Sequence, residues 1–126
     1  MTKLRLAPLS ADLDISVVVP VHNEAENVAD LAAEIAAALR GRTSFEMVFV
    51  DDGSIDGTGP ELMRLTELYP ELRPVVHDRR SGQSIAISTG ARAARGATIV
   101  SIAGDGQIEP EFILELALAL AAGQPG

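Results

Sequence analysis

Acidic and polar residues follow four apolar runs of this sequence, and residues of these types could bind a charged ligand. The four polar segments are residues 20–24, 51–54, 77–82 and 103–107. A carboxylate at the end of a strand can accept hydrogen bonds from a ribose hydroxyl or a base edge. Carboxylates also bind hard cations such as Mg²⁺, which in turn hold phosphate oxygens. The sequence therefore predicts an acidic crevice for a phosphate ligand that is bridged by a metal ion.

Each polar segment also has a plain structural explanation. The Asp-Gly-Ser sequence after the second run is typical of turns. Glu24 would be favourable in the first turn of a helix because of the helix dipole, and Asp105 could be a solvated loop residue. Arg79 and Arg80 could supply cations to a phosphate group or form a solvated basic turn.

Several other kinds of site are excluded because key positions are missing. The segment that starts at Asp52 resembles a calcium loop, but its twelfth position is Met63 instead of a bidentate glutamate. A glycine-rich turn after the first run, a Gly-Lys-Ser/Thr sequence and a Gly-x-Ser-x-Gly sequence are all absent. These absences argue against dinucleotide-binding Rossmann domains, P-loop NTPases and α/β-hydrolases. His22 and His77 are isolated histidines, and neither is predicted to bind a metal.

The apolar runs alternate with segments of helical periodicity. Strands are predicted over residues 15–19, 45–50, 72–77 and 97–102, with helices between them and over residues 111–122. The first helix carries apolar residues at helical spacing from Val28 to Leu39, and Asn23 is predicted to cap it. This alternation implies a parallel sheet with right-handed crossovers, in a three-layer α/β/α fold.

The predicted order of the strands in the sheet is 3-2-1-4. Pro74 cannot donate a ladder hydrogen bond, which places the third strand at an edge. The first strand is almost wholly apolar, which suits an interior position. Ligands bind in such sheets at the carboxyl ends of the strands, here between strands 1 and 4. Glu24 and Asp105 are expected to face each other there, with Asp52 beside them.

The composition limits the class of protein. The chain has 126 residues, 47% of them hydrophobic, which suits one domain with its own core. A formal net charge of −8 argues against a nucleic-acid partner that is held by phosphate neutralisation. The chain has no cysteine, which fits a reducing cytoplasm. We interpret residues 1–14 as an arm without a signal peptide and residues 15–126 as the domain.

Four motifs in order resemble a known family. They are Val18-Val19-Pro20-Val21-His22-Asn23-Glu24, Val50-Asp51-Asp52-Gly53-Ser54-Ile55-Asp56-Gly57-Thr58, Arg80-Ser81-Gly82-Gln83-Ser84 and Gly104-Asp105-Gly106-Gln107. The combination resembles the family 2 glycosyltransferases, and within them the branch that transfers sugars to dolichyl or polyprenyl phosphate. The resemblance runs from about residue 15 to the end of the chain.

The resemblance implies the nucleotide-sugar-binding half of a GT-A fold, a UDP- or GDP-sugar donor, and Mg²⁺ or Mn²⁺ as cofactor. Pro20, His22 and Glu24 would line the nucleotide pocket, and Val50 and Asp52 would hold the base and the ribose. The other substrate-binding positions that the resemblance implies are Arg80, Gly82, Gly104, Asp105 and Gln107. Asp105 is also the implied metal ligand.

Two departures from the family pattern bear on activity. The Asp-x-Asp triplet of the family is Ala103-Gly104-Asp105 here, so metal binding is predicted to be weak and nucleotide-dependent. The family continues into an acceptor-binding half that carries the usual catalytic base, so no catalytic residue is assigned. A polyprenyl phosphate acceptor would relax the need for a base because it is already an anion.

Two functions stay open from the sequence. The first is transfer of a hexose from a nucleotide-diphosphate sugar to a polyprenyl phosphate or similar acceptor at the cytoplasmic face of the membrane. The second is a truncated or degenerate module that binds a nucleotide or a partner without catalysis. A receiver-like phosphoacceptor domain shares the acidic strand ends, but it would need a fifth strand followed by a lysine.

The fourth strand carries a further prediction about assembly. In the predicted order it lies at an edge, with Thr98, Val100 and Ile102 along its ladder. Open apolar edges tend to pair with another chain. We therefore expect a homodimer, or a strand exchange, through this edge.

Overall fold

A parallel four-stranded sheet organises the chain, and its order β3-β2-β1-β4 confirms the prediction. The computed structural model describes residues 13–102, 114–115 and 118–119. The strands are β1 (Leu13–Val21), β2 (Phe45–Asp51), β3 (Leu72–Val76) and β4 (Gly96–Ser101). All three strand pairs are parallel, so their carboxyl ends lie at one edge of the sheet.

The register of the sheet explains where the proline is tolerated. Pro74 lies opposite Phe49 in the β2–β3 pair, and β3 is an outer strand, as predicted from its missing N–H. On the interior strand, β1 pairs with β2 from Ile15 opposite Phe45 to Val21 opposite Asp51. Val21 and Asp51 are the last residues of β1 and β2. Because they are in register, the loops that follow the two strands begin side by side at the carboxyl edge of the sheet.

Three helices connect the strands: α1 (Val28–Leu39), α2 (Thr58–Leu65) and α3 (Gln83–Ala93). The predicted cap of α1 is wrong. The N-cap residue is Asn27, and it makes no side-chain cap hydrogen bond. Asn23 has a positive φ of 53° and bonds to another loop instead. The predicted helix over residues 111–122 lies mostly outside the described residues, although Leu114, Glu115, Leu118 and Ala119 are helical.

The two faces of the sheet bury cores of different size. On one face, side chains of β1 and β2 such as Val17 and Phe49 pack with Ile35 of α1 and Leu62 of α2. Leu114 belongs to the same core. These layers exclude water from a large apolar area, which supplies most of the driving force for folding.

The other face holds a smaller core beneath α3. Its buried members are Val18, Val48, Val50 and Ala86. Gly90 lets the helix approach closely, since a Cβ there would lie 2.3 Å from Val18 Cγ1. Gly82, the N-cap residue of α3, donates its N–H to Asp52 just after β2, so the first turn of α3 lies at the carboxyl edge of the sheet.

A buried carboxylate ties together the opposite end of the sheet. Glu46 of β2 is 2% exposed and accepts hydrogen bonds from the Ser16 hydroxyl at 2.6 Å and from the Arg95 backbone N–H at 2.6 Å. Arg73 of β3 lies 3.1 Å from the same carboxylate. No sequence motif indicated a role for Glu46. The network joins three strands and the α3–β4 turn at the end of the sheet away from the predicted crevice, and loss of one partner would leave a buried charge uncompensated.

Candidate functional site

Three loops lie together at the carboxyl edge of the sheet. They are the β1–α1 loop (residues 22–27), the β2–α2 loop (residues 52–57) and the β3–α3 loop (residues 77–82). In parallel sheets this edge is where ligands bind. The structure therefore brings together the first three of the polar segments that the sequence singled out.

The first two loops are joined by hydrogen bonds between backbone and side chains. Asn23 donates its N–H to Ser54 Oγ at 2.8 Å, and the Ile55 N–H donates to Asn23 Oδ1 at 2.9 Å. The Glu24 N–H donates to Thr58 Oγ1 at 2.8 Å. Asn23 adopts its positive φ to make both of its bonds, which an asparagine tolerates better than most residues. Both loops are therefore held in one arrangement without a ligand.

Asp56 adds a further link between the same two loops. Its carboxylate accepts a hydrogen bond from the Thr58 N–H at 2.9 Å and one from the Ala25 N–H at 3.3 Å. Its hydrogen bond with the Thr58 hydroxyl is the main cause that holds the pKa of this carboxyl below its usual range. Asp56 is thus ionised at neutral pH and stabilises the start of α2.

Asp52 is the centre of the site. Its carboxylate is buried and accepts hydrogen bonds from the Ser81 N–H at 2.8 Å and the Gly82 N–H at 2.9 Å. His77 Nδ1 lies 2.9 Å from Asp52 Oδ1. Burial alone raises the pKa of this carboxyl, but the bonds from His77, Ser81 and Gly82 outweigh it and lower the pKa. Asp52 is therefore a fixed negative charge that ties the β3–α3 loop to β2.

His77 connects that charge to the middle of α3. Because an ionised carboxylate only accepts, His77 Nδ1 donates to Asp52, while Nε2 lies 2.9 Å from Thr89 Oγ1. From the sequence, His77 is an isolated histidine without evident partners, and these two contacts are not predicted. The available signal was its position at the end of the third strand, next to the strand that ends in Asp51-Asp52.

A glycine allows the β2–α2 and β3–α3 loops to touch. Gly53 has a φ of +69°, and a Cβ there would lie 2.3 Å from Arg80 N and 2.4 Å from the Arg79 carbonyl carbon. Only a residue without a side chain fits this approach. Arg79 and Arg80 themselves are exposed, so their guanidinium groups are available at the rim of the site.

The remaining described positions differ in how they could meet a ligand. Pro20 and Val50 are buried side chains on adjacent strands, opposite each other in the register. His22 is half-buried, and its Nδ1 lies 2.8 Å from the Asp52 carbonyl oxygen, so Nδ1 carries the proton. Glu24 is half-buried, and its carboxylate accepts a hydrogen bond from Asn27 Nδ2 at 2.6 Å.

The predicted metal-binding segment is not part of the described chain. Gly104, Asp105 and Gln107 lie outside the described residues, as does Ala103. Within residues 13–102 and the short helical pieces beyond them, no group of three or more histidine and acidic side chains could hold a metal ion. No helix in that part of the chain has the length and apolarity needed to cross a membrane.

The site can offer several kinds of contact to a ligand. The described edge combines a buried ionised carboxylate, a half-buried glutamate, two exposed arginines and the first turn of a helix. An arginine suits a phosphate group, and an acidic residue at a strand end suits a ribose hydroxyl. This chemistry fits a nucleotide better than an apolar ligand.

Comparisons with known proteins agree with this geometry. The profile of the family described as Glycosyl transferase family 2 matches residues 16–126. The dolichol-phosphate mannosyltransferase of Pyrococcus furiosus is 34% identical over 88% of this chain and 31% of its own length. An undecaprenyl-phosphate 4-deoxy-4-formamido-L-arabinose transferase of Pseudomonas paraeruginosa is 36% identical over 94% of this chain and 35% of its own.

A solved structure shares the fold. The mannosyltransferase PcManGT from Pyrobaculum calidifontis, in complex with GDP-Man and Mn²⁺, superposes with a TM-score of 0.73 and 28% identity. The match covers 94% of this chain and 36% of that chain. This chain therefore spans about a third of the length of the relatives that it matches. Its profile match, its relatives and its fold together show that the chain is a member of glycosyl transferase family 2.

Proposed function

We propose that this chain binds a nucleotide-diphosphate sugar at the carboxyl edge of its sheet and belongs to an enzyme that transfers the sugar to a polyprenyl phosphate. The observation that carries the proposal is the interlocked set of three loops around the ionised Asp52, in a member of this transferase family. Preformed polar loops reduce the entropy that ligand binding must overcome.

The residues of the edge have distinct proposed roles. Pro20 and Val50 form the apolar floor beneath the base, and His22 and Glu24 line the nucleotide pocket. Asp52 holds the base and ribose side of the site, both directly and through the β3–α3 loop. Arg80 and Gly82 face the diphosphate, as does Gly104, outside the described residues.

The cofactor proposed for this site is Mg²⁺ or Mn²⁺. Asp105 is the proposed metal ligand, with Gln107 nearby, and the diphosphate of the donor would supply oxygen ligands. The complex of PcManGT with GDP-Man and Mn²⁺ supports a divalent cation. Because Ala103 leaves this site without the first carboxylate of the family motif, we expect binding of the ion to be weak and to require the nucleotide.

The acceptor is proposed from the names of the relatives. Two relatives are transferases named for dolichol phosphate and undecaprenyl phosphate. Such acceptors are membrane lipids, so the protein would act peripherally at the cytoplasmic face of a membrane. We propose residues 15–126 as the nucleotide-sugar-binding domain, residues 1–14 as an arm, and a homodimer formed through the β4 edge.

A second function is favoured by one residue. Ala103 stands where the family has the first acid of its Asp-x-Asp motif. Loss of that carboxylate would weaken metal binding and favour a non-catalytic nucleotide-binding or interaction module. Sugar transfer or donor hydrolysis supports the enzyme, whereas nucleotide binding without turnover supports the module.

Calorimetric titration of UDP and GDP, each with and without Mn²⁺, tests the proposed donor site. We expect metal-dependent binding of one of the two nucleotides, and Arg80→Ala should weaken it roughly tenfold by removing a charge-assisted hydrogen bond. Arg92→Ala, an exposed arginine in the last turn of α3, is the matched control. Ala103→Asp should strengthen metal-dependent binding. Absence of binding heat with both nucleotides, in the presence of Mn²⁺, would refute the donor site.

A further inference from the structure

His77 and Thr89 form a connection that the proposed ligand contacts do not use. His77 follows β3 and is half-buried, with its side chain 15% exposed. Its two ring nitrogens lie 2.9 Å from Asp52 Oδ1 and 2.9 Å from Thr89 Oγ1. Both ring nitrogens are thus committed to protein partners in the absence of any ligand.

The direction of each hydrogen bond follows from the chemistry of the partners. Asp52 is ionised and accepts, so His77 carries a proton on Nδ1. In the neutral ring Nε2 then has only a lone pair, and the Thr89 hydroxyl donates to it. Asp52 therefore favours the less common Nδ1–H tautomer. The hydrogen bond from the Thr89 hydroxyl to Nε2 is compatible with this tautomer.

The connection fixes α3 at two separate points. Asp52 accepts the Ser81 and Gly82 N–H groups at the start of the helix. His77 reaches Thr89, which lies six residues after the first helical residue, Gln83. Together with the packing of Ala86 and Gly90 against the sheet, these two attachments limit how α3 can move relative to the sheet.

These hydrogen bonds also limit how many acceptor positions the Asp52 carboxylate can offer to a ligand. Oδ1 accepts from both His77 and Ser81, while Oδ2 accepts from Gly82 alone. A carboxylate oxygen has about two acceptor positions, so among the contacts of the described residues only Oδ2 keeps one position free. The direction of that free position depends on how His77 holds the carboxylate.

We propose that His77 is a positioning residue for the nucleotide-sugar site, acting with Thr89. By clamping Asp52 Oδ1 it holds the Ser81 and Gly82 amides, and with them the β3–α3 loop that carries Arg80, in the geometry that receives the nucleotide. The proposal rests on the proposed function for its ligand, but the positioning of the loop can be measured without any ligand.

Amide hydrogen exchange by NMR tests the positioning directly in the ligand-free protein. Thr89→Val removes the hydroxyl at nearly constant volume and should speed exchange at Ser81 and Gly82 roughly fivefold, as loss of one neutral hydrogen bond implies. His77→Gln should speed it more, roughly twentyfold, because the bond to an ionised partner is stronger. Core amides such as those of Val18 and Phe49 should keep their rates.

Two matched variants separate positioning from general destabilisation. Thr89→Ser keeps a hydroxyl and should restore the exchange rates of the wild type. Ser88→Ala alters an exposed hydroxyl on the same helix and should leave Ser81 and Gly82 unaffected. Ring ¹⁵N shifts of His77 should report Nδ1–H in the wild type. An Nε2–H ring, or unchanged exchange at Ser81 and Gly82 in both His77→Gln and Thr89→Val, would overturn the proposal.

Nucleotide titration then links positioning to function. We expect Thr89→Val and His77→Gln to weaken nucleotide binding in the same order as they speed exchange, by roughly fivefold and twentyfold. Unchanged affinity together with faster exchange would overturn the link to binding. If the wild type binds neither UDP nor GDP while exchange responds as expected, the proposed function fails and the loop-positioning role of His77 is supported.

Discussion

Asp52 shows how one side chain can be both buried and charged. Burial of a lone carboxylate would raise its pKa and favour the neutral form. Three donors, from His77, Ser81 and Gly82, surround it instead and lower its pKa. The fold therefore stabilises the charge, and by linkage the charge stabilises the fold.

The pH dependence of stability follows from the direction of this shift. Since the folded pKa of Asp52 lies below the unfolded value of about 3.9, its contribution is complete above the unfolded pKa and is lost as pH falls through the folded pKa. Asp52→Asn should destabilise the protein by about 2 kcal/mol at pH 7. In urea titrations at several pH values, this difference should shrink as the pH falls below about 4. A difference independent of pH would contradict the assignment.

At the scale of elements, the loops behave as one packed unit and not as three separate connections. The β1–α1 and β2–α2 loops share hydrogen bonds through Asn23, Ser54 and Thr58. The β2–α2 and β3–α3 loops share the Asp52 carboxylate and the backbone contact at Gly53. A substitution in one loop should therefore also alter the conformation or stability of the neighbouring loop.

Gly53→Ala tests that contact, with Gly41→Ala as its control. Both glycines have a positive φ, +69° and +80°, but Gly41 has nothing within 4 Å of an added Cβ. Gly41→Ala should lower the free energy of unfolding by about 1 kcal/mol, because of backbone strain alone. Gly53→Ala should cost roughly 3 kcal/mol, because its Cβ also collides with the backbone at Arg79 and Arg80. If both variants lose the same amount of stability in thermal or urea unfolding, the result would argue against the close loop contact.

At the scale of the whole molecule, the sheet is asymmetric. On the α3 side, Ile99 of β4 is 47% exposed, whereas the interior strands are covered on both faces. Within the described residues, β4 pairs with β1 alone. Its outer ladder is the place where we propose that a second copy adds its own strand.

Light scattering at tens of micromolar protein tests this homodimer. We expect the wild type to be a dimer and Ile99→Lys to shift it toward monomer, since a charge next to the edge opposes strand pairing. Ile55→Lys is the matched control, because Ile55 is 91% exposed in the β2–α2 loop, away from β4. A monomeric wild type, or equal effects of both substitutions, would contradict the edge interface.

Local patterns determined much of this protein in advance. Runs of β-branched residues alternating with helical periodicity gave the strand and helix order, because a strand and a helix repeat their apolar positions with different periods. Pro74 placed β3 at an edge because it lacks a ladder donor. Motif order was enough to identify the family, since Asp52, Arg80 and Asp105 follow successive strands.

Only the tertiary structure decided which polar groups meet. Asn23 had the local chemistry of a helix cap, but a positive φ and the distant Ser54 and Ile55 gave it other partners. His77 lacked sequence neighbours that explained it, and its partners Asp52 and Thr89 lie 25 and 12 residues away. Hydrogen bonds between side chains depend on distances of a few tenths of an ångström. Sequence periodicity sets which face and which edge a residue occupies, whereas such distances are set by how the loops and helices pack.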